Sequence, residues 1–256
     1  MVSLKTPFEI VKMRNAGKVA AQVLKEVLHK AVSGVSLLEL DTLADRLIVQ
    51  NGALPSFKME KGYHWTTCMC LNNVVVHGIP TEEKLKKGDI LCIDLGVYLD
   101  GWHADTSWTI LIDPKNSGIK ANEKVKFLKT GELALKSAID KCQVGNYIGD
   151  ISQAMQEVVE SSGYSCVRQL VGHGVGRSLH EDPEIPCFVR GEIKNTPKIT
   201  EGMVLAVEVI YNMGKSPVVY KNDDGWTIVT RDGLPSAVFE HTVAITAESN
   251  QVLTSL

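Results

Sequence analysis

Apolar and polar positions follow two periods along the chain, and the order of the periods occurs twice. From Thr6 to about Val32 the spacing is helical, with Val19, Val23, Val27 and Leu28 roughly on one face. Thr6 suits an N-cap, Pro7 the first helical position, and Glu9 completes a capping box. A second helix is predicted from Ser36, with Glu39 three residues on and Gly52 as its stop. Strand-like runs follow at 67–76, 89–98 and 104–112. Helices then return at roughly 121–141 and 147–161, the latter closed by Gly163. Further strand-like runs lie at about 165–171, 203–211, 217–220, 226–230 and 237–246. The second helices of the two halves align at an offset of 111, pairing Gly34 with Gly145, Leu40 with Ile151, Ile48 with Val159 and Gly52 with Gly163. Any two capped helices share some of this likeness, and a duplication accounts for all of it. Strands grouped in runs, rather than alternating singly with helices, predict an α+β fold. The expected organisation is one domain, 1–256, of pseudo-repeat halves at about 1–115 and 116–256, with a ligand site between them.

Two of the predicted strands carry aspartates where core residues belong. Asp100-Gly101 is a strong two-residue turn signal, and it pairs Leu99 with Trp102. Asp94 then faces Ser107, and Gly96 faces Asp105. Side chains alternate, so Asp94 and Asp105 project from one face as diagonal neighbours, roughly 7–8 Å apart at the backbone. Like charges that close repel unless a proton or a cation lies between them. Gly96 is expected to leave room beside them. Two later strands repeat the anomaly: "GMVLAVEVIY" carries Glu208 and "SAVFEHTVAIT" carries Glu240. A buried carboxylate costs several kcal/mol, on the order of a lost ion pair, unless it is paired or metal-bound. Each could meet a distant arginine; four together are hard to explain separately.

The run "LVGHGVGRSLHEDPEIP", residues 170–186, sets His173 among three glycines and is followed by His180 and a turn-rich EDPEIP. Glycines there let backbone approach closely and an imidazole project into a cleft. The spacing fits neither a P-loop nor a dinucleotide fingerprint. His77 ends the apolar run "VVVHGIP". A single histidine is more often a satisfied structural residue than a ligand. Four carboxylates with one histidine form a hard, oxygen-rich set that suits Mn, Fe, Co or Zn. Five ligands exceed the needs of one catalytic ion with an open position, and two ions sharing bridging carboxylates would use them all.

Composition narrows the alternatives. Hydrophobic residues make up 44% and charged residues 22% of 256, enough for a full core without disulfides. A formal net charge of −3 gives no basic field for nucleic acid or anionic membrane. The six cysteines form no C-x-x-C pair, which argues against a structural zinc knuckle and for reduced thiols. No secretory h-region and no apolar run of membrane length is visible, so a cytoplasmic protein is expected.

The ordered set Asp94, Asp105, His173, Glu208, Glu240 resembles that of the methionine aminopeptidases of the M24 metallopeptidases, which have the pita-bread fold. The words "NNVVVHGIP", "IDLGVYLDGWHADTSWT", "GHGVGRSLHEDPEIP", "DGWTIVT" and "FEHTVAIT" match as well, and the likeness runs from about residue 7 to 246. Type II members carry a long insertion before the last ligand; only 32 residues separate Glu208 from Glu240, so the chain resembles the short bacterial type I form.

The resemblance implies a cytosolic enzyme that removes the initiator methionine from nascent proteins whose second residue is small, near the ribosome exit and as a monomer. It implies two divalent ions, Asp105 and Glu240 bridging both, Asp94 completing one, and His173 and Glu208 the other. A metal-bridging hydroxide would attack, Glu208 would shuttle the proton, His180 would bind the scissile carbonyl, and His77 would contact the substrate backbone. Tyr63, Cys68 and Trp226 would surround the methionine side chain. Residues 59–65 depart from the family pattern, with Glu60 in place of an aromatic and His64 in place of a proline; Leu179 and Val209 also differ. Two other readings compete: an X-Pro aminopeptidase or prolidase-like peptidase of the same fold, and a non-catalytic peptide-binding module. Prolidases carry an additional N-terminal domain that this sequence does not show, and non-catalytic relatives have typically lost ligands.

Overall fold

A computed structural model describes residues 2–113, 119–222 and 224–255. Helix α1, Pro7–Lys30, starts at the predicted Thr6–Glu9 capping box, in which the Glu9 carboxylate accepts from the Thr6 N–H at 2.9 Å. It buries Met13, Ala16, Ala20, Val23, Leu24 and Val27. Helix α2, Leu37–Gln50, is capped by Ser36 and Glu39 in the same way. The chain reverses at Gly52, whose φ of 72° needs a residue free of a Cβ.

The first-half strands are β1 Leu54–Pro55, β2 Thr67–Leu71, β3 Val74–Val76, β4 Ile90–Leu99 and β5 Trp102–Leu111. One sheet joins β1, β2 and β5 to β4, all antiparallel. The β4–β5 register is the one parity predicts: Leu99 opposite Trp102, Asp94 opposite Ser107, Gly96 opposite Asp105. Asp100 and Gly101, at φ 52° and 86°, make the turn. The predicted run 67–76 is instead two strands, because Asn72 turns at φ 53°.

The second half opens with α3 Ile119–Asp140 and α4 Ile148–Ser161. Helices α2 and α4 are both 14 residues long, and their first residues, Leu37 and Ile148, keep the offset of 111. Then come β6 Ser165–Cys166, β7 Val171–Gly174, β8 Glu181–Pro186, β9 Val204–Asn212, β10 Val218–Tyr220, β11 Ile228–Thr230, β12 Ser236–Ile245 and β13 Asn250–Val252. Six of these strands form a sheet ordered β13-β12-β9-β7-β8, with β6 on β9. A third sheet, β10-β11-β3, draws one strand from the first half. EDPEIP, expected as a turn, is strand β8, because β7 offers it an unpaired edge.

Helices α1 and α2 bury Leu24, Leu40 and Ile48 on the first sheet's outer face, with Leu91, Ile93 and Leu95. Helix α3 does the same for the second sheet through Phe127 and Leu135, with Tyr211 and Phe239. The Tyr211 hydroxyl donates to the Phe127 carbonyl at 2.5 Å and accepts from the Gly131 N–H at 3.1 Å. The inner faces of the two sheets are left to each other, and the unusual polar residues sit there.

Candidate metal centre

The two sheets meet along β5 and β12 through threonine side chains. Thr242 Oγ1 accepts from the Asp105 N–H at 2.9 Å and donates to the Asp105 carbonyl at 2.8 Å. Thr106 Oγ1 donates to the Glu240 carbonyl at 3.0 Å, and Thr109 Oγ1 to the Val238 carbonyl at 2.6 Å. This stitching fixes the backbones of Asp105 and Glu240 relative to each other.

Around that seam five side chains converge. Asp94 and Asp105 come from β4 and β5, and Glu208 and Glu240 sit directly opposite each other on β9 and β12. His173 comes from β7, whose residue pairs with Ala206 of β9. Ligand atoms of Asp105, His173 and Glu240 all lie within 4.8 Å of one another. His173 Nδ1 is 2.8 Å from the Gly174 carbonyl, which can only accept, so Nδ1 carries the proton. Nε2 is then a free lone pair, and it points at Asp105 Oδ2 from 3.9 Å. The flanking glycines serve close approach rather than bending: a Cβ on Gly172 would fall 2.6 Å from the Ala206 carbonyl oxygen.

The charges do not balance among the described residues. No lysine or arginine lines the cavity that holds the four carboxylates. Asp94 Oδ1 is buried without a hydrogen-bond partner. Burial pushes the Asp105 carboxyl up to about 7 against the lowering effect of the Thr106 N–H. Burial and the Asp105 charge push Glu208 up to about 8. Asp94 and Glu240 are raised well above the carboxylate range by burial and by their facing carboxylates. Burial lowers His173 to about 4, so it is neutral and free to ligate. An orphaned buried oxygen, a neutral imidazole aimed inward and uncompensated acids fit divalent cations.

The acids floor a cavity of about 260 Å³. All ten residues singled out in the sequence line it: Asp94, Asp105, His173, Glu208, Glu240, His77, His180, Tyr63, Cys68 and Trp226. His77 follows β3 at φ 54°, a left-handed conformation that aims its ring at Trp226, 6.2 Å away between centroids. His180 stacks edge-on to His173 at 4.5 Å. Burial lowers His77 to about 4 and lowers His180 as well, so both present neutral rings. The Tyr63 hydroxyl donates to the Thr67 carbonyl at 2.8 Å and lies 3.3 Å from Cys68 Sγ, while its ring meets Trp226 edge-on at 5.1 Å.

Three readings need correction or completion. The space beside Gly96 is not open: a Cβ there would meet Ser56 at 2.7 Å and the Phe57 ring at 3.0 Å. Phe57 itself lines the cavity and carried no sequence signal. Val76, Gln169, Leu170, Val171 and Ile210 also line it and were missed; period two from Glu208 points to Ile210. Of the departures from the family pattern, Glu60 and Leu179 reach the cavity, whereas His64 is exposed and Val209 is buried elsewhere.

Comparison with known proteins agrees with this geometry. Residues 11–247 match metallopeptidase family M24. A methionine aminopeptidase of Clostridium perfringens is 43% identical over 254 residues, covering 99% of each chain. The crystal structure of a methionine aminopeptidase from Thermotoga maritima superposes with a TM-score of 0.93 at 37% identity over 100% of both chains. The prolidase of Pyrococcus furiosus, 22% identical with a TM-score of 0.77, spans 99% of this chain but 65% of its own, and shares the fold alone. With a family match over most of its length and an acid cradle that calls for cations, the chain belongs to metallopeptidase family M24.

Proposed function

We propose that this chain is a methionine aminopeptidase, removing the N-terminal methionine of peptides whose second residue is small. The observation that carries the reading is the union of a four-carboxylate, one-histidine cradle with an aromatic and sulfur-lined wall at one cavity. Asp94, Asp105, His173, Glu208 and Glu240 would hold two divalent ions, Mn, Fe, Co or Zn. Such ions supply a strong nucleophile from water near neutral pH and polarise the scissile carbonyl.

The chain's own residues do the rest. The methionine side chain packs among Tyr63, Cys68 and Trp226, an apolar and polarisable wall suited to a thioether. The Glu208 carboxylate accepts a proton from the attacking water and returns it to the leaving amine nitrogen, which balances the hydrolysis to free methionine and a shortened peptide. His180, neutral because buried, donates N–H to the oxygen on which negative charge develops. His77 holds the backbone beside the cleaved bond. In this reading the substrate is the initiator methionine of new chains, met in the cytoplasm near the ribosome exit by a monomeric enzyme.

Peptide competition tests the reading. Met-Ala-Ser should be cleaved, while Met-Trp-Ser and Ala-Pro-Ser should not. Turnover of Ala-Pro-Ser alone would assign the X-Pro specificity of the more distant fold relatives.

A further inference from the structure

We propose that Lys5, in the segment before α1, is a positioning residue for His180; the inference rests on the catalytic reading of His180 given above. His180 ends the loop from Val175 and is followed at once by Glu181, the first residue of β8. The Glu181 carboxylate accepts from Lys5 Nζ at 2.6 Å, and the two side chains are 12% and 2% exposed. The same ammonium donates to the Ser3 carbonyl at 3.1 Å. The other oxygen of Glu181 accepts from the Ser178 N–H at 3.1 Å, so one carboxylate ties the loop to itself and to the N-terminal segment. That segment is anchored in turn: the Lys5 N–H donates to the Gly202 carbonyl at 2.7 Å, two residues before β9.

The loop is built around this pair. A Cβ on Gly176 would sit 2.5 Å from Lys5 Cε and 2.6 Å from Glu181 Oε1, so glycine there makes the seat. The Gly176 carbonyl accepts from the His103 N–H at 2.8 Å, and its N–H donates to the Ser178 carbonyl at 3.0 Å. On the outside, the Arg177 guanidinium lies 4.0 Å over the Trp102 ring and 3.6 Å from the Glu9 carboxylate. A buried ion pair is a poor source of stability, since two well-packed apolar side chains serve as well or better. What a short, desolvated pair supplies is a fixed position, here one residue from the ring that binds the reacting carbonyl.

The test is a double-mutant cycle on the metal-loaded enzyme with Met-Ala-Ser, joined to hydrogen exchange. Lys5→Met should lower kcat by roughly 10²-fold with little change in KM, the scale of a small misplacement near the chemistry. In a His180→Ala background the same change should cost nothing further. Lys5→Arg should recover most of the loss. Amides of 175–182 should exchange at least roughly tenfold faster in Lys5→Met, while those of α2 stay unchanged. Equal losses of kcat in both backgrounds, or unaltered exchange at 175–182, would overturn the proposal. If Lys5→Met does not fold, Lys5→Gln carries both readouts. If the unmutated chain fails to cleave Met-Ala-Ser, the catalytic reading falls, and the exchange arm still decides whether Lys5 fixes the loop.

Discussion

His180→Ala should keep its metal content and lose roughly 10²–10³ in kcat, the usual scale for one oxyanion donor. Metal analysis with steady-state kinetics checks this, and unchanged turnover would remove His180 from the chemistry. The acids predict a pH signature for the metal-free protein. Asp105 and Glu208, raised to about 7 and about 8, hold protons in the folded state that the unfolded chain has already released. Stability from that source falls as pH rises towards 8. The buried histidines His77, His103, His173 and His241, lowered to about 4, act the other way but only below about 6.5, the unfolded histidine value. Between pH 6.5 and 8 the Tm of chelated protein should therefore fall, and saturating Mn should abolish the fall; a flat or rising Tm would contradict the account. The sequence made these acids visible because each interrupts an apolar strand. Phe57 was not visible, because a phenylalanine opening a single 3-10 turn, Phe57–Met59, has no pattern to violate.

Among the elements, the β4–β5 register was legible to the residue, though the strand ends were not, since a two-residue Asp-Gly turn fixes register and register fixes faces. Strand β8 was not, because its Asp182-Pro183 signals a turn locally, while the edge that recruits it is set by tertiary packing. Strands β1 and β13, of two and three residues, are too short to show a period. The threonine seam between β5 and β12 was equally hidden, since nothing in either strand names its partner. Its role can be measured. Thr242→Val keeps the shape but strips two hydrogen bonds from the Asp105 backbone. Leaving those buried groups unpaired should cost roughly 1–3 kcal/mol for each in urea unfolding, and metal should bind more weakly. Full stability with wild-type metal affinity would show that the seam does not set the cradle.

For the whole molecule, the sequence pointed to two halves with a site between them, and the inward-facing sheets bring four acids together with His173. Glu208 and Glu240 of one sheet meet Asp94 and Asp105 of the other around a cavity with no lysine or arginine among its described lining residues. What the sequence could not supply is which loops close that cavity, because Gln169, Leu170 and Glu60 reach it from segments without periodic structure. The departure at residues 59–65 thus narrows to Glu60, the member of that stretch, besides Tyr63, that lines the site. If these acids hold metal for hydrolysis at an N-terminal methionine, activity must follow metal occupancy. The most direct test is to strip the protein with chelator, titrate in Mn, and follow methionine release from Met-Ala-Ser alongside bound metal. No release is expected without metal, and activity should rise with occupancy and saturate by two equivalents. Release that is indifferent to metal, or full occupancy without release, would contradict that role.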